Sequence, residues 1–280
     1  MYKSSTWANR ILSLQDHQGA WGYFHTLSAD SPSPYTTEAA LKRLEILGYT
    51  IADECIQRAV SYMNDCLTGT RKIPDRPEKS DDWNIFTSLM LASRIRRFTG
   101  DNPAANQIAK TWADIITGSF AGEEYDHQKY VKSFTEVFGM KPTGGRLVDF
   151  SQLYIVSAVN GYLDETTERK FLTYLINKPN GIYYIYEACI RKLPCNFKSK
   201  CASRYLGCIE LLADYASAKY QLQFVVEWLE NSRCENGNWD MGGRAKDGLY
   251  FPLSNDWRKS TAREFDCTNR ISRLIEKLTL

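Results

Sequence analysis

Two stretches of the sequence share one pattern: Ile11-Leu12-Ser13-Leu14-Gln15-Asp16-His17-Gln18-Gly19-Ala20-Trp21 near the start, and Leu229-Glu230-Asn231-Ser232-Arg233-Cys234-Glu235-Asn236-Gly237-Asn238-Trp239 near the end. In each, an aliphatic residue is followed by a polar side chain (Gln15, Arg233), then by a turn glycine (Gly19, Gly237) and a tryptophan (Trp21, Trp239). The pattern reads as a helix that stops, a glycine that takes the left-handed cap, and an indole that folds back over the helix end. A weaker third copy runs from Leu175 through Gly181 to Tyr183.

Outside these turns nearly every long segment has helical periodicity, and no alternating strand run appears. Helices are expected to begin near Thr6, Thr36, Ala52, Asp82, Pro103, Glu123, Val148, Glu165, Ser199, Gln221 and Phe265. The segments 36–48, 82–97, 148–162, 199–215 and 265–279 lead with small or polar residues and then run apolar. Those between them, such as 103–117 and 165–177, carry more charge on one side. Helix pairs at such spacing stack into a solenoid or close into a ring. The expectation is an all-α chain, residues 1–280 forming a single domain.

Composition bounds the function classes. Of 280 residues 43% are hydrophobic and 13% aromatic, which supplies a thick core or an aromatic pocket. The net charge of +2 argues against general nucleic-acid binding. No apolar run approaches the roughly 18 residues of a membrane span, and the start Met1-Tyr2-Lys3-Ser4-Ser5-Thr6-Trp7 lacks a signal peptide's apolar stretch. A cytoplasmic location with eight reduced cysteines is the expectation.

The glycine-tryptophan turns resemble the "QW" repeat of squalene cyclases and the glycine-aromatic turns of protein prenyltransferase β subunits. That resemblance implies an α/α toroid of roughly five to six inner and outer helix pairs around a central aromatic cavity. It implies cation chemistry or group transfer on an isoprenoid, with ring faces stabilising positive charge. It directs attention to an acidic motif for alkene protonation. The nearest counterpart is Lys79-Ser80-Asp81-Asp82, which keeps two carboxylates but has lysine where the first should stand. Asp81 and Asp82 are therefore the acid candidates, and they serve equally as a helix N-cap pair.

The zinc ligands of the prenyltransferases map onto Ser199, Cys201 and Asp266, so only the cysteine is kept. No cofactor is assigned: a divalent metal stays open, with Cys201 and Asp266 as weak ligand candidates and Asp266 as a further catalytic candidate. Arg191, Lys192, Lys198, Lys200 and Arg204 carry five positive charges with no acid between them. Lys198, Lys200, Arg204 and Tyr205 are the candidates to hold a diphosphate. Trp83, Tyr154, Tyr250, Trp257 and Arg258 complete the expected substrate contacts, the last three from a long aromatic loop suited to lid or binding duty.

The expected partner is a small apolar or prenyl diphosphate substrate, and a second helical domain or protein fits the family habit. Two other classes stay open. One is a toroid that binds a ligand or peptide without catalysis. The other is a carbohydrate-active α/α barrel, for which Glu123, Glu124, Asp126 and Asp149 keep a carboxylate pair available.

Overall fold

The computed structural model describes residues 2–26, 31–77 and 82–280. Among them are twelve α-helices and no β-strand: α1 (Thr6–Leu12), α2 (Thr37–Ile46), α3 (Glu54–Leu67), α4 (Trp83–Arg96), α5 (Pro103–Ser119), α6 (His127–Phe138), α7 (Leu153–Ala158), α8 (Glu165–Asn177), α9 (Lys200–Leu212), α10 (Ala218–Gln221), α11 (Gln223–Glu230) and α12 (Ser260–Thr279). None is long and apolar enough to cross a membrane.

Local chemistry sets most starts. The side chains of Ser5, Thr36, Asp82, Asn102, Asp164 and Ser199 each accept a backbone N–H of the first turn, satisfying a donor that the helix itself leaves orphaned. Three starts differ from the periodicity. α6 begins at His127 rather than near Glu123, because the Asp126 carboxylate accepts from the N–H groups of Gln128 and Lys129. α7 begins five residues late. The Tyr183 N–H donates to the Ser151 carbonyl and the Leu153 N–H to the Tyr183 carbonyl, both at 3.1 Å, and this strand-like pairing engages groups a helix would need. α12 begins at Ser260, a turn and a half before Phe265.

The two glycine-tryptophan turns fold alike. Gly19 (φ 95°) and Gly237 (φ 81°) both take the left-handed region that favours glycine. The Trp21 indole donates to the Ile11 carbonyl and the Trp239 indole to the Leu229 carbonyl, each at 2.7 Å across ten residues. Each tryptophan's backbone N–H in turn donates to a threonine hydroxyl on the following long helix, Thr37 of α2 and Thr268 of α12. Gln15 and Arg233, the polar residues of the pattern, donate to the carbonyls of Gly19 and Gly237. Each turn thus staples a short helix to the next long one. The third copy does not: Tyr183 is 40% exposed, and its backbone pairs with 151–153 instead.

Burial sorts the helices. α4, α7 and α9 are covered on nearly every side, all six residues of α7 being buried, whereas α3 and α6 bury a single stripe. One apolar core runs through the described chain from Tyr2 to Leu278. The two ends meet. Asn255 Oδ1 accepts from the N–H and hydroxyl of Thr6 (2.9 and 2.5 Å), the Trp7 indole donates to the Ser254 carbonyl (3.2 Å), and Arg43 of α2 donates to the carbonyls of Leu249 and Pro252.

Candidate functional site

A cavity of about 260 Å³ opens among α2, α4, α7, α9 and α12, with Ile185, Tyr250 and Leu253 contributed by loops. These are the five segments whose sequence leads polar and then runs apolar. Part of the wall is aliphatic: Ile46, Leu153, Ile185, Leu211, Leu253 and Leu274. Much of the rest is charged, with Lys42, Arg94, Arg97, Arg270, Arg273 and Lys277 beside two carboxylates, Glu45 and Glu210.

Most of that charge is paired. Arg97 joins Glu45 of α2 (2.5 Å) to Asp214, which closes α9, and Lys277 of α12 reaches the same Asp214. Arg270 grips Glu210 with Nε and Nη2 (2.5 and 2.8 Å). Arg94, 4% exposed, holds Glu38 Oε1 at 2.8 Å. Behind Arg94, Glu38 Oε2 accepts from the Tyr154 hydroxyl (2.9 Å) and lies 2.8 Å from His25 Nδ1. Burial works against the ionised Glu38, yet the Arg94 charge and the His25 contact outweigh it and hold its carboxyl at about 2. The same burial, with the Glu38 charge, pushes the Tyr154 phenol well above its ordinary range.

Among the described residues two of the six make no ion pair, the exposed Arg273 and Lys42. Lys42 Nζ sits 5.1 Å from the centre of the Tyr250 ring, and the Arg270 guanidinium carbon lies 4.6 Å from the same centre. Desolvation, and after it the Arg94 charge, bring the Lys42 ammonium down to about 8. Gly207 of α9 makes room for the ring, because a methyl group there would overlap the phenol end of Tyr250.

The residues singled out from the sequence are dispersed. Tyr250 lines the cavity. Tyr154 is buried one layer behind it, in the Glu38 network. Lys198, Lys200, Arg204 and Arg258 are exposed and off the cavity wall. Tyr205 is buried, its hydroxyl donating to the Ile190 carbonyl at 2.9 Å. Trp257 stacks on Phe251 with centroids 5.0 Å apart, and Trp83 packs beside Phe86. Asp82 caps α4 through the Ile85 N–H, while Asp81 lies outside the described residues.

Asp266 is fully buried, and its Oδ2 accepts from the N–H groups of Leu253 and Ser254 and from the Ser254 hydroxyl at 2.8–2.9 Å, so it anchors the aromatic loop. Cys201 is exposed beside the Tyr186 hydroxyl (3.9 Å). No cluster of three or more potential metal ligands forms among the described residues. Of the carboxylates kept for sugar chemistry, Asp126 caps α6, Asp149 pairs with Lys178, and Glu123 and Glu124 line a separate groove with Tyr125 and Tyr174.

Sequence reasoning missed Lys42, Arg94, Arg97 and Arg270. Only Arg94 carried a signal, a cation in the otherwise apolar run of α4, since a charge that must be buried needs either a partner or a ligand. No family model, curated protein or solved structure matches the chain.

Proposed function

We propose that the chain is an α/α toroid whose central cavity takes an isoprenoid-type ligand, an apolar body carrying a diphosphate head. The ring reading is supported by the alternation of cavity-lining α2, α4, α7, α9 and α12 with α3, α5, α6, α8, α10 and α11 along the chain. The hydrogen bonds joining Thr6 and Trp7 to 254–255 support it from the other side. The observation that carries the ligand reading is the divided wall, aliphatic residues beside six cations.

Both wall carboxylates, Glu45 and Glu210, are held by arginines. The wall therefore offers positive charge to bind a diphosphate and to stabilise its departure, rather than an acid to protonate an alkene. That pairing also favours the second reading, a toroid that binds such a ligand without turning it over.

Titration calorimetry with dimethylallyl diphosphate, its alcohol, farnesyl diphosphate and inorganic pyrophosphate tests the proposal. Micromolar binding that needs both tail and diphosphate is expected. Product analysis of the bound ligand then separates turnover from binding. Equal affinity for pyrophosphate and the prenyl diphosphates would remove the isoprenoid, and no binding by any of them would remove the ligand class.

A further inference from the structure

We infer that Lys42, Tyr250 and Arg270 form an oxyanion seat on one wall of the cavity, the place where a phosphate, diphosphate or carboxylate head docks. The inference rests on the central-cavity reading above and deepens it. Its basis is the accounting of donors. Arg94, Arg97 and Lys277 already spend donors on Glu38, Glu45 and Asp214, and Arg273 is exposed to solvent. Three groups around one ring remain: the Lys42 ammonium, the Tyr250 hydroxyl and Arg270 Nη1. The last two are buried and have no hydrogen-bond partner among the described residues.

A buried polar group without a partner costs free energy, and native structures keep few of them. Here two such groups and an unpaired ammonium gather at one place, and each can donate. A ligand that supplies only acceptors and negative charge satisfies all three at once, with charge-assisted hydrogen bonds to the lysine and the arginine. Ser157 Oγ of α7, also buried and unpartnered, offers a further donor from the same cavity.

Binding is linked to protons. The groups that act on Lys42 are Glu38 and Glu45 on its own helix, Arg94 on α4, Asp247 and Tyr250 on the aromatic loop, Cys208 on α9 and Arg270 on α12, whereas α7 presents only Leu153 and Ser157. With its ammonium held at about 8, Lys42 is about half protonated at pH 8 in the free protein. An anion restores the proton, so binding takes up about half a proton at pH 8 and almost none at pH 6. Affinity falls as pH rises above 8.

The test is calorimetry on the full chain with pyrophosphate, dimethylallyl diphosphate and 3-methylbutanoate, at pH 6 and pH 8, in two buffers of different ionisation heat. Wild type should show the proton uptake at pH 8 only. Lys42→Met should weaken the diphosphates at least 30-fold, and Tyr250→Phe about 5- to 10-fold. Lys42→Arg, always charged, should retain affinity within about 5-fold and abolish the proton uptake.

Should the prenyl diphosphate bind while Lys42→Met and Tyr250→Phe leave its affinity unchanged, the seat is overturned and the cavity reading stands. If pyrophosphate binds with the expected variant losses but the tail adds nothing, the seat stands and the isoprenoid is lost. Tighter binding of 3-methylbutanoate than of the diphosphates makes the head a carboxylate in the same seat. Absence of all binding overturns both.

Discussion

Two groups of basic residues in this molecule invite comparison. Lys198, Lys200 and Arg204 are crowded into seven residues at the start of α9, and all three side chains are exposed. Lys42, Arg94, Arg97, Arg270 and Lys277 come from three helices spread across the chain and converge on one cavity. The crowded group stands out in the sequence but is solvated, and in water each charge acts weakly beyond a Debye length. The dispersed group is hard to see in the sequence, yet partial burial makes each charge demand a partner. Crowding along the chain measures local charge density; convergence in space measures what the protein has to compensate.

The comparison can be broken at several points, and the largest effect is expected at Glu38. Glu38→Gln leaves the buried Arg94 without its carboxylate and should cost about 3–5 kcal/mol, read by urea unfolding at pH 7. The wild type carries its own signature of the pair. A carboxyl held at about 2 against an ordinary 4.5 contributes stability that is fully present above pH 4.5 and is lost as pH falls toward 2. Glu38→Gln should flatten that acid limb; an unchanged limb would mean that the Arg94 pair does not stabilise the fold.

Gly207→Ala sets a methyl group against the Tyr250 ring, and overpacking of this kind costs about 1–3 kcal/mol. It should also weaken any anion that docks on Lys42 and Arg270, because the ring against which both lie has to move. Full retention of both stability and binding would show that the loop carrying Tyr250 yields freely.

Lys42→Met should act in the opposite direction. The folded protein holds this ammonium at about 8, against 10.5 ordinarily, so below pH 8 the charge is kept at a cost of about 3 kcal/mol. Removing it should raise Tm by about 5 °C at pH 7. The advantage should fade between pH 8 and 10.5, where the folded wild type has shed the proton and the unfolded chain still holds it. A stabilising substitution that abolishes binding marks a residue kept for function rather than for the fold.

Smallest of all is the crowded group. Joint replacement of Lys198, Lys200 and Arg204 by glutamine should change stability by no more than about 0.5 kcal/mol and pyrophosphate affinity by less than about 2-fold, with what change there is vanishing in salt. A loss on the scale of Lys42→Met would reverse the comparison and return the head group to the start of α9.

The tryptophan turns teach the complementary lesson. Both follow their pattern to the same hydrogen bonds, because an indole that folds back over its own helix end finds its acceptor within ten residues. The third copy has the glycine but a tyrosine in place of tryptophan, and it is drawn into pairing with 151–153, a segment about thirty residues away. That long-range pairing is also why α7 starts late, which no local pattern near Val148 announces.

What the sequence determined by itself is therefore what short-range chemistry controls: the helical class, the helix starts at Thr36, Asp82 and Ser199, and the two stapled turns. The candidate site belongs to tertiary structure. Asp82 and Asp266 had the residue type sought for acid chemistry but were taken up by backbone N–H groups, one capping a helix and the other anchoring a loop. Lys42 and Arg270, 228 positions apart, acquired their character only when both came against one tyrosine ring and no carboxylate among the described residues paired with the lysine. Hydrogen bonds within a turn are fixed by the residues that make it, whereas the cost of a buried charge depends on every element packed around it.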